Sequence, residues 1–493
     1  MRTRPSAAFL RFVLGTGLTL GLAMAGYHVL IGYSETWDYN AVRLQRTFVL
    51  AAGEPLYAGR DSGAVLDMIY GPISAVAYLP ATLWRTPAPA VLAGQVLSLL
   101  FVLTPVLGWL WRRRRGEIWP TAFGGLTFAF LVIDSRPLEY AAFTVHADAP
   151  ALGLGMLALA VLGTGREESP KHLRLAASAS LAVLAVWTKL MMLPLLLALP
   201  AVLAWTSGRR TAFAWLGWLG LTGSALSALL IWIFGPLEPL LFNLWTVPAR
   251  HTLGELTAGA ALSALGRLAF EAAPVLGLWV LALVLRWTGE RGEWRRDPAV
   301  SLGFVALTML PLAILGLRKA GGDINAFAYV IYFLASGAVL SLAASARDRV
   351  ARRVLLAAPS LLALLVLFVQ EPGSLRTWRE EVEFASFPHQ RAYDYLRAHP
   401  GRLYFPRITL AHLLAEGVVY HQSNGIADRE ISGFPMTSEH LRAHIPSGLQ
   451  GVAFADNGFR SIVTYLRLPE FSEPGDDPEL PGFVIYRPKQ ALE

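Results

Sequence analysis

The sequence predicts an α-helical polytopic membrane protein of about eleven transmembrane helices, with interfacial helices in its first extracytoplasmic loop and a small C-terminal α/β extracytoplasmic domain. Three observations lead there. Of the 493 residues, 54% are hydrophobic and only 16% charged, against about 25% charged in a typical soluble domain. Apolar runs of about 17 to 25 residues, the length that crosses about 30 Å of hydrocarbon, recur along the chain as far as Val369. The arginines and lysines fall in short clusters between those runs and share one side when the runs are counted as crossings.

In order, the apolar runs are 9–31, 90–111, 118–133, 148–163, 174–188, 190–206, 212–234, 272–287, 299–316, 327–345 and 354–369. The basic start of the first run resembles a signal peptide. Its apolar stretch is too long for a usual h-region and lacks a small-x-small exit, so it reads as an uncleaved helix. The two runs meeting at Thr188 and Lys189 also read as one long span with a short re-entrant partner.

Cytoplasmic loops carry the excess of basic residues, which puts the N-terminus in the cytoplasm. The clusters are Arg2, Arg4 and Arg11; Arg112 to Arg115; Arg166, Lys171 and Arg174; Arg209 and Arg210; Arg286 to Arg296; and Arg347 to Arg353. Loops 32–89, 134–147 and 235–271, the turn at Thr188 and Lys189, the turn from Arg318 to Phe327, and everything after Val369 then face the other side. The transmembrane domain is thus 1–369, and 370–493 form the C-terminal domain.

Within loop 32–89, Asp38 to Ala52 carries Val42, Leu44, Phe48, Val49 and Leu50 among Arg43, Gln45 and Arg46, the pattern of an amphipathic helix lying on the interface. Tyr70 to Trp84 is too short to cross and is punctuated by Gly71, Pro72 and Pro80, so it reads as a second interfacial piece. Beyond Val369, QRAYDYLRAH and SEHLRAHI read as helices, and GRLYFP, GVVYHQS, RSIVTYLRL and GFVIYRP as strands.

Several function classes drop out. A net charge of +7 would suggest nucleic acid in a soluble protein, but here the basic residues report topology and no nucleic-acid partner is expected. With no cysteine there is no disulfide, thiolate metal site or cysteine nucleophile. No P-loop, GxGxxG, HExxH or GxSxG motif is present, and the C-terminal histidines lack metal spacing; His421 alone stands out. No metal and no cofactor is expected.

Polar residues matter most where burial is expensive, and the candidates gather at the extracytoplasmic ends of the runs. Glu35 and Asp38, three residues apart in GYSETWDYN, are placed to take a proton from an attacking hydroxyl; alternatively they solvate a helix exit. Asp148 in DSRPLEYAAFTVHADAP is either a helix N-cap before Pro150 or, with His146, Arg136 and Glu139, part of a substrate site. Lys189, between two apolar runs and with no acid nearby in sequence, snorkels, finds a partner or binds an anion. Arg318 and Lys319 precede AGGDIN, a turn whose amides and cations suit a phosphate, with Asp323 and Asn325 as polar neighbours; paired basic residues are also ordinary anchors. Arg250 and His251 are weaker candidates of the same kind.

These residues carry a resemblance. An acid-bearing first loop, G-x-x-L-Y from Gly53 to Tyr57, the aromatic-Gly-Pro at Tyr70 to Pro72, HADAP at 146–150, WTK at 187–189 and KAGGDIN at 319–325 are similar to segments of the GT-C superfamily of polytopic glycosyltransferases. The likeness covers roughly 10–370 and is greatest to the family 39 and 83 types, protein O-mannosyltransferases and bacterial lipid A aminoarabinose transferases. The resemblance implies a bacterial inner-membrane enzyme using a polyprenyl-phosphate sugar donor among the membrane lipids, and a protein, lipid or glycan acceptor. It makes Asp38 the candidate base with Glu35 beside it, and Lys189, Arg318, Lys319 and Tyr70 the donor-phosphate residues. His146, Asp148, Asp323 and Asn325 then hold the sugar or acceptor.

Two departures stand out. The usual adjacent Asp-Glu pair is here Glu-x-x-Asp, which leaves open which acid is the base. Tyr70, Gly71 and Pro72 stand where some relatives have a lysine before paired prolines, which puts donor recognition in question. A transporter or flippase for a lipid-linked or small polar substrate is the main rival, and a non-catalytic assembly protein the second.

Overall fold

The computed structural model describes residues 7–29, 39–66, 69–113, 118–163, 171–254, 257–288, 291–367, 388–455, 468, 471–475 and 477–488. Its helices, in chain order, begin with α1 (Ala7–Tyr27), α2 (Tyr39–Ala51), α3 (Ile73–Val76), α4 (Pro87–Arg113), α5 (Trp119–Asp134), α6 (Arg136–Phe143), α7 (Asp148–Leu162) and α8 (His172–Thr188). They continue with α9 (Leu195–Thr206), α10 (Arg209–Phe234), α11 (Leu237–Leu241), α12 (Val247–Arg250), α13 (Ala258–Glu271), α14 (Ala273–Thr288), α15 (Pro298–Arg318), α16 (Ala328–Ala344) and α17 (Arg349–Leu365).

Each expected apolar run falls on one of these helices. By length and composition, five described helices qualify as membrane spans: α1, α4, α10, α15 and the stretch Ile324–Ala344 that contains α16. Two bent pairs, α6 with α7 at 100° and α13 with α14 at 80°, raise the number to seven, and α5, α8 and Leu190–Thr206 are shorter apolar helices. The protein is a polytopic membrane protein. α8 stops at Thr188, Lys189 is extended and a 3-10 turn follows at Leu190–Met192, so a single long span through this point is excluded.

α16 is the centre of the bundle. Every residue from Ala328 to Leu342 is buried, and the helix packs against α15, α14, α5 and α4. A helix that is apolar all round belongs inside protein, whereas α1 and α10 leave most of their surface outward.

The loop expected at 134–147 in fact contains α6. Ser135 adopts an extended conformation after α5, and the chain turns back so that His146 and Asp148 enter the interior. The interfacial helix expected in the first loop is also corrected. α2 forms on the expected residues, but Asn40 to Val49 are all buried, packed on α3, α4 and the 3-10 turn Leu79–Leu83 on one side and on a C-terminal helix on the other. Its polar face is therefore covered by protein.

Residues 388–488 contain α18 (Pro388–Ala398), α19 (Thr409–Glu416), α20 (Ser423–Ile431), α21 (Ser438–Ala443), β1 (Leu403–Tyr404), β2 (Gly451–Ala455), β3 (Phe471–Gly475) and β4 (Phe483–Pro488). The sheet order is β1-β2-β4-β3, with β1 parallel to β2 and the other pairs antiparallel. The two expected helices and the strands in GRLYFP and GFVIYRP are present. GVVYHQS is not a strand: the amides of His421, Gln422 and Ser423 donate to His444, Val65 and Pro406, three separate segments, so no ladder forms. Apart from Leu468, RSIVTYLRL lies outside the described residues, as does the expected boundary at 369–370.

Candidate active site

The carboxylate of Asp148 is the centre of a buried polar cluster. Asp148 opens α7, is 0% exposed, and does not cap its own helix. Its Oδ1 accepts from the Lys189 ammonium at 2.6 Å and from the Tyr329 hydroxyl, and Oδ2 accepts from the Asn325 amide at 2.9 Å. His146 Nδ1 lies 2.5 Å from Oδ2 and 3.3 Å from the Asp148 amide, and its Nε2 shares a hydrogen bond of 3.1 Å with the Tyr70 hydroxyl. Four polar side chains from three segments, His146, Lys189 and the pair Asn325 and Tyr329, therefore converge on one carboxylate. A buried charge persists when it is paired and hydrogen-bonded in this way.

The local chain makes this possible at Gly71. A Cβ there would stand 1.6 Å from the Trp187 carbonyl, and the Gly71 amide donates to the Thr188 carbonyl at 3.2 Å. Only glycine lets the 70–72 segment lie against the end of α8, which brings the Tyr70 ring to 5.2 Å from the Lys189 ammonium. Tyr57 donates to the Tyr70 carbonyl at 3.0 Å and holds the same segment from the other side.

α2 adds two cations. Arg43 donates to the Tyr140 hydroxyl at 2.9 Å, and Tyr140 meets the His146 ring edge to face at 5.6 Å. The Arg46 guanidinium lies 5.2 Å above the Tyr70 ring. Among the described residues no group of three or more His, Asp and Glu side chains is arranged to hold a metal.

No family model matches the chain, and no curated protein sequence matches it either. Among solved structures it is similar to ArnT from Cupriavidus metallidurans bound to undecaprenyl phosphate, with a TM-score of 0.59 and 12% identity over 98% of this chain and 98% of that one. The apo state of the same protein gives 0.57 and 13% over 97% and 98%. The chain shares the fold of this protein over nearly the whole of both chains. The oligosaccharyltransferase from Archaeoglobus fulgidus in the apo form gives a TM-score of 0.44 at 11% identity over 95% of this chain and 73% of that one.

Within this fold, the residues singled out in the sequence divide into three sets. Tyr70, His146, Asp148, Lys189 and Asn325 form one connected cluster, although Lys189, which looked isolated in sequence, is already matched by Asp148. Arg318 ends α15 and Lys319 follows it. Burial lowers the Lys319 pKa from its ordinary value; the Asp428 carboxylate opposes this and the Lys189 ammonium adds to it, so the two lysines share one field. Three amides of AGGDIN are engaged within the protein. The Ala320 amide donates to Thr252 at 2.8 Å and the Gly322 amide to Lys319 at 2.7 Å, while the Asp323 carboxylate caps its own turn at the Ile324 amide. Glu35 and Asp38 form the third set and lie outside the described residues.

Arg43, Arg46, Tyr140 and Tyr329 were not among the expected site residues. Tyr329 had one readable signal: it follows Asn325 by four residues, the spacing that places two side chains on one helical face.

Proposed function

We propose that this chain is a membrane glycosyltransferase that moves a hexosyl or pentosyl unit from a polyprenyl-phosphate donor to an acceptor hydroxyl at the extracytoplasmic face. The observation that carries the reading is the likeness in fold, over nearly the whole of both chains, to a protein crystallised with undecaprenyl phosphate. The buried polar cluster at one end of the apolar helices supports it. The first-loop acids act on the acceptor: Asp38, or Glu35 beside it, takes the hydroxyl proton as the acceptor oxygen attacks the anomeric carbon. The bond from that carbon to the phosphate oxygen breaks, and polyprenyl phosphate leaves with the bonding electrons.

A lipid phosphate is already a competent leaving group, so the protein's work is placement and charge. Lys189, Arg318 and Lys319, with Tyr70 and the two α2 arginines, meet the phosphate; His146, Asp148, Asp323 and Asn325 orient the sugar or acceptor. The membrane is the bacterial inner membrane, with the N-terminus in the cytoplasm and residues 370–493 outside.

Mass spectrometry of lipid co-purifying with the protein tests donor class and sugar together. A bound polyprenyl-phosphate sugar is expected, and Asp38→Asn with Glu35→Gln should cut its turnover by about 100-fold or more while donor binding stays. Recovery of bulk phospholipid alone, or turnover unaffected by the double substitution, defeats the proposal and favours a transporter.

A further inference from the structure

Helix α2 carries Arg43, Gln45, Arg46 and Thr47, yet all of them are buried. Successive helical residues turn by about 100°, so these side chains divide between two faces. Arg43, Arg46 and Thr47 face the cluster: Arg43 bonds Tyr140, Arg46 covers Tyr70, and the Thr47 hydroxyl donates to the Ala75 carbonyl at 3.0 Å. The Gln45 side chain and the Val42 carbonyl meet the C-terminal unit, residues 388–488. There Gln45 Oε1 accepts from the Gln422 amide at 2.5 Å and from the Thr409 hydroxyl, and the same Gln422 amide donates to the Val42 carbonyl at 2.8 Å. Gln45, Thr409 and Gln422 are each 0% exposed.

We propose that Gln422 and Thr409 are positioning residues: by bonding Gln45 they fix the rotation of α2, so that Arg43 and Arg46 are presented to the Tyr70, His146 and Asp148 cluster. The inference rests on the reading of that cluster as the donor end of a glycosyltransferase site. An apolar contact would hold the two parts together but would leave α2 free to roll about its axis. Several directional bonds at one buried glutamine remove that freedom.

The same unit grips the chain on either side of the helix. Arg407 lies 5.4 Å over the ring of Tyr39, the residue that follows Asp38 in sequence. Beyond α2, Arg429 donates to the carbonyls of Ala58, Gly59 and Arg60, and the Val65 amide donates to His421 Nδ1 at 2.9 Å. A Cβ at Gly425 would meet the Leu66 carbonyl at 2.3 Å, so the start of α20 is in close contact with this strap. Residues 58–66 precede Tyr70 closely in sequence. The C-terminal unit thus contacts two of the segments that bring side chains to the cluster, α2 and the chain before Tyr70.

Gln422→Leu keeps the bulk and removes the donor. Two measurements on the full-length protein in lipid nanodiscs decide the matter: amide hydrogen exchange of α2, and affinity for undecaprenyl phosphate as the probe. Faster exchange in α2, and affinity reduced by about tenfold, are expected. In an Arg43→Gln/Arg46→Gln background Gln422→Leu should cost no further affinity, which a merely structural glutamine would not predict. Thr409→Val, which removes one hydroxyl, should move both readouts the same way by less, and serves if Gln422→Leu does not fold. Unchanged exchange in α2, or an equal loss of affinity with and without the arginines, overturns the proposal. A wild-type protein that does not bind the probe refutes the functional reading instead, and the exchange measurement still decides the positioning.

Discussion

Replacing Asp148 by leucine removes the shared acceptor of Lys189, Tyr329, Asn325 and His146 at a position that is 0% exposed. Removing one partner of a buried ion pair costs about 3–5 kcal/mol, because the remaining charge is left uncompensated. The Lys189 side chain is 12% exposed and gains some solvent when freed, so the lower end applies, about 3 kcal/mol. Asp148→Asn, which keeps the shape and one acceptor oxygen, should cost less. Thermal unfolding of the full-length protein at fixed lipid and detergent composition reads the loss. The decisive comparison is the double substitution Asp148→Leu/Lys189→Met, which removes both charges. It should be less destabilised than the sum of the single variants by about 0.5–3 kcal/mol. Strict additivity, or a loss below about 1 kcal/mol for Asp148→Leu alone, would refute the argument that this carboxylate is held by Lys189.

Two further outcomes follow from geometry outside the cluster's centre. Gly71→Ala places a methyl group against the Trp187 carbonyl and should cost about 1–3 kcal/mol in the same melting assay, since a backbone oxygen cannot swing aside; a neutral result would mean that the 70–72 segment is not seated on α8. His421 is held neutral, its pKa pushed down to about 3 chiefly by burial, with its Nδ1 accepting the Val65 amide. Its pKa in the unfolded chain is the ordinary value of about 6.5, so between these limits the unfolded chain binds a proton that the folded one refuses. Stability is thus fully present above pH 6.5 and falls on acidification at up to about 1.4 kcal/mol per pH unit. His421→Gln should flatten that slope in melts recorded from pH 7 to 4, and an unchanged slope would show that this ring does not carry it.

What the sequence revealed and what it hid have a common physical cause. Apolar length is a local property, so every expected run is a helix, and the break at Lys189 was legible because a lysine between two apolar stretches needs an exit or a partner. The partner was not legible. Asp148 lies 41 residues away from Lys189, and Pro150 made it look like a cap. The pairing rule for buried charges points to the answer only once both residues are known to be inside.

α2 is the stronger case. Its pattern is that of an interfacial helix, and periodicity registers that one face is apolar without registering whether lipid or protein covers the other. What covers it here lies far along the chain: Tyr140 is 97 residues from Arg43, and Gln422 is 377 residues from Gln45. An interfacial helix keeps its arginines in water, where their direction is set by nothing. With both faces enclosed, Arg43 bonds Tyr140 and Arg46 lies over Tyr70, and under the proposed function such preplaced charge is what would stabilise a leaving phosphate without reorganising at the moment of reaction. The misread face of α2 is therefore where the C-terminal unit meets the helix that carries Arg43 and Arg46.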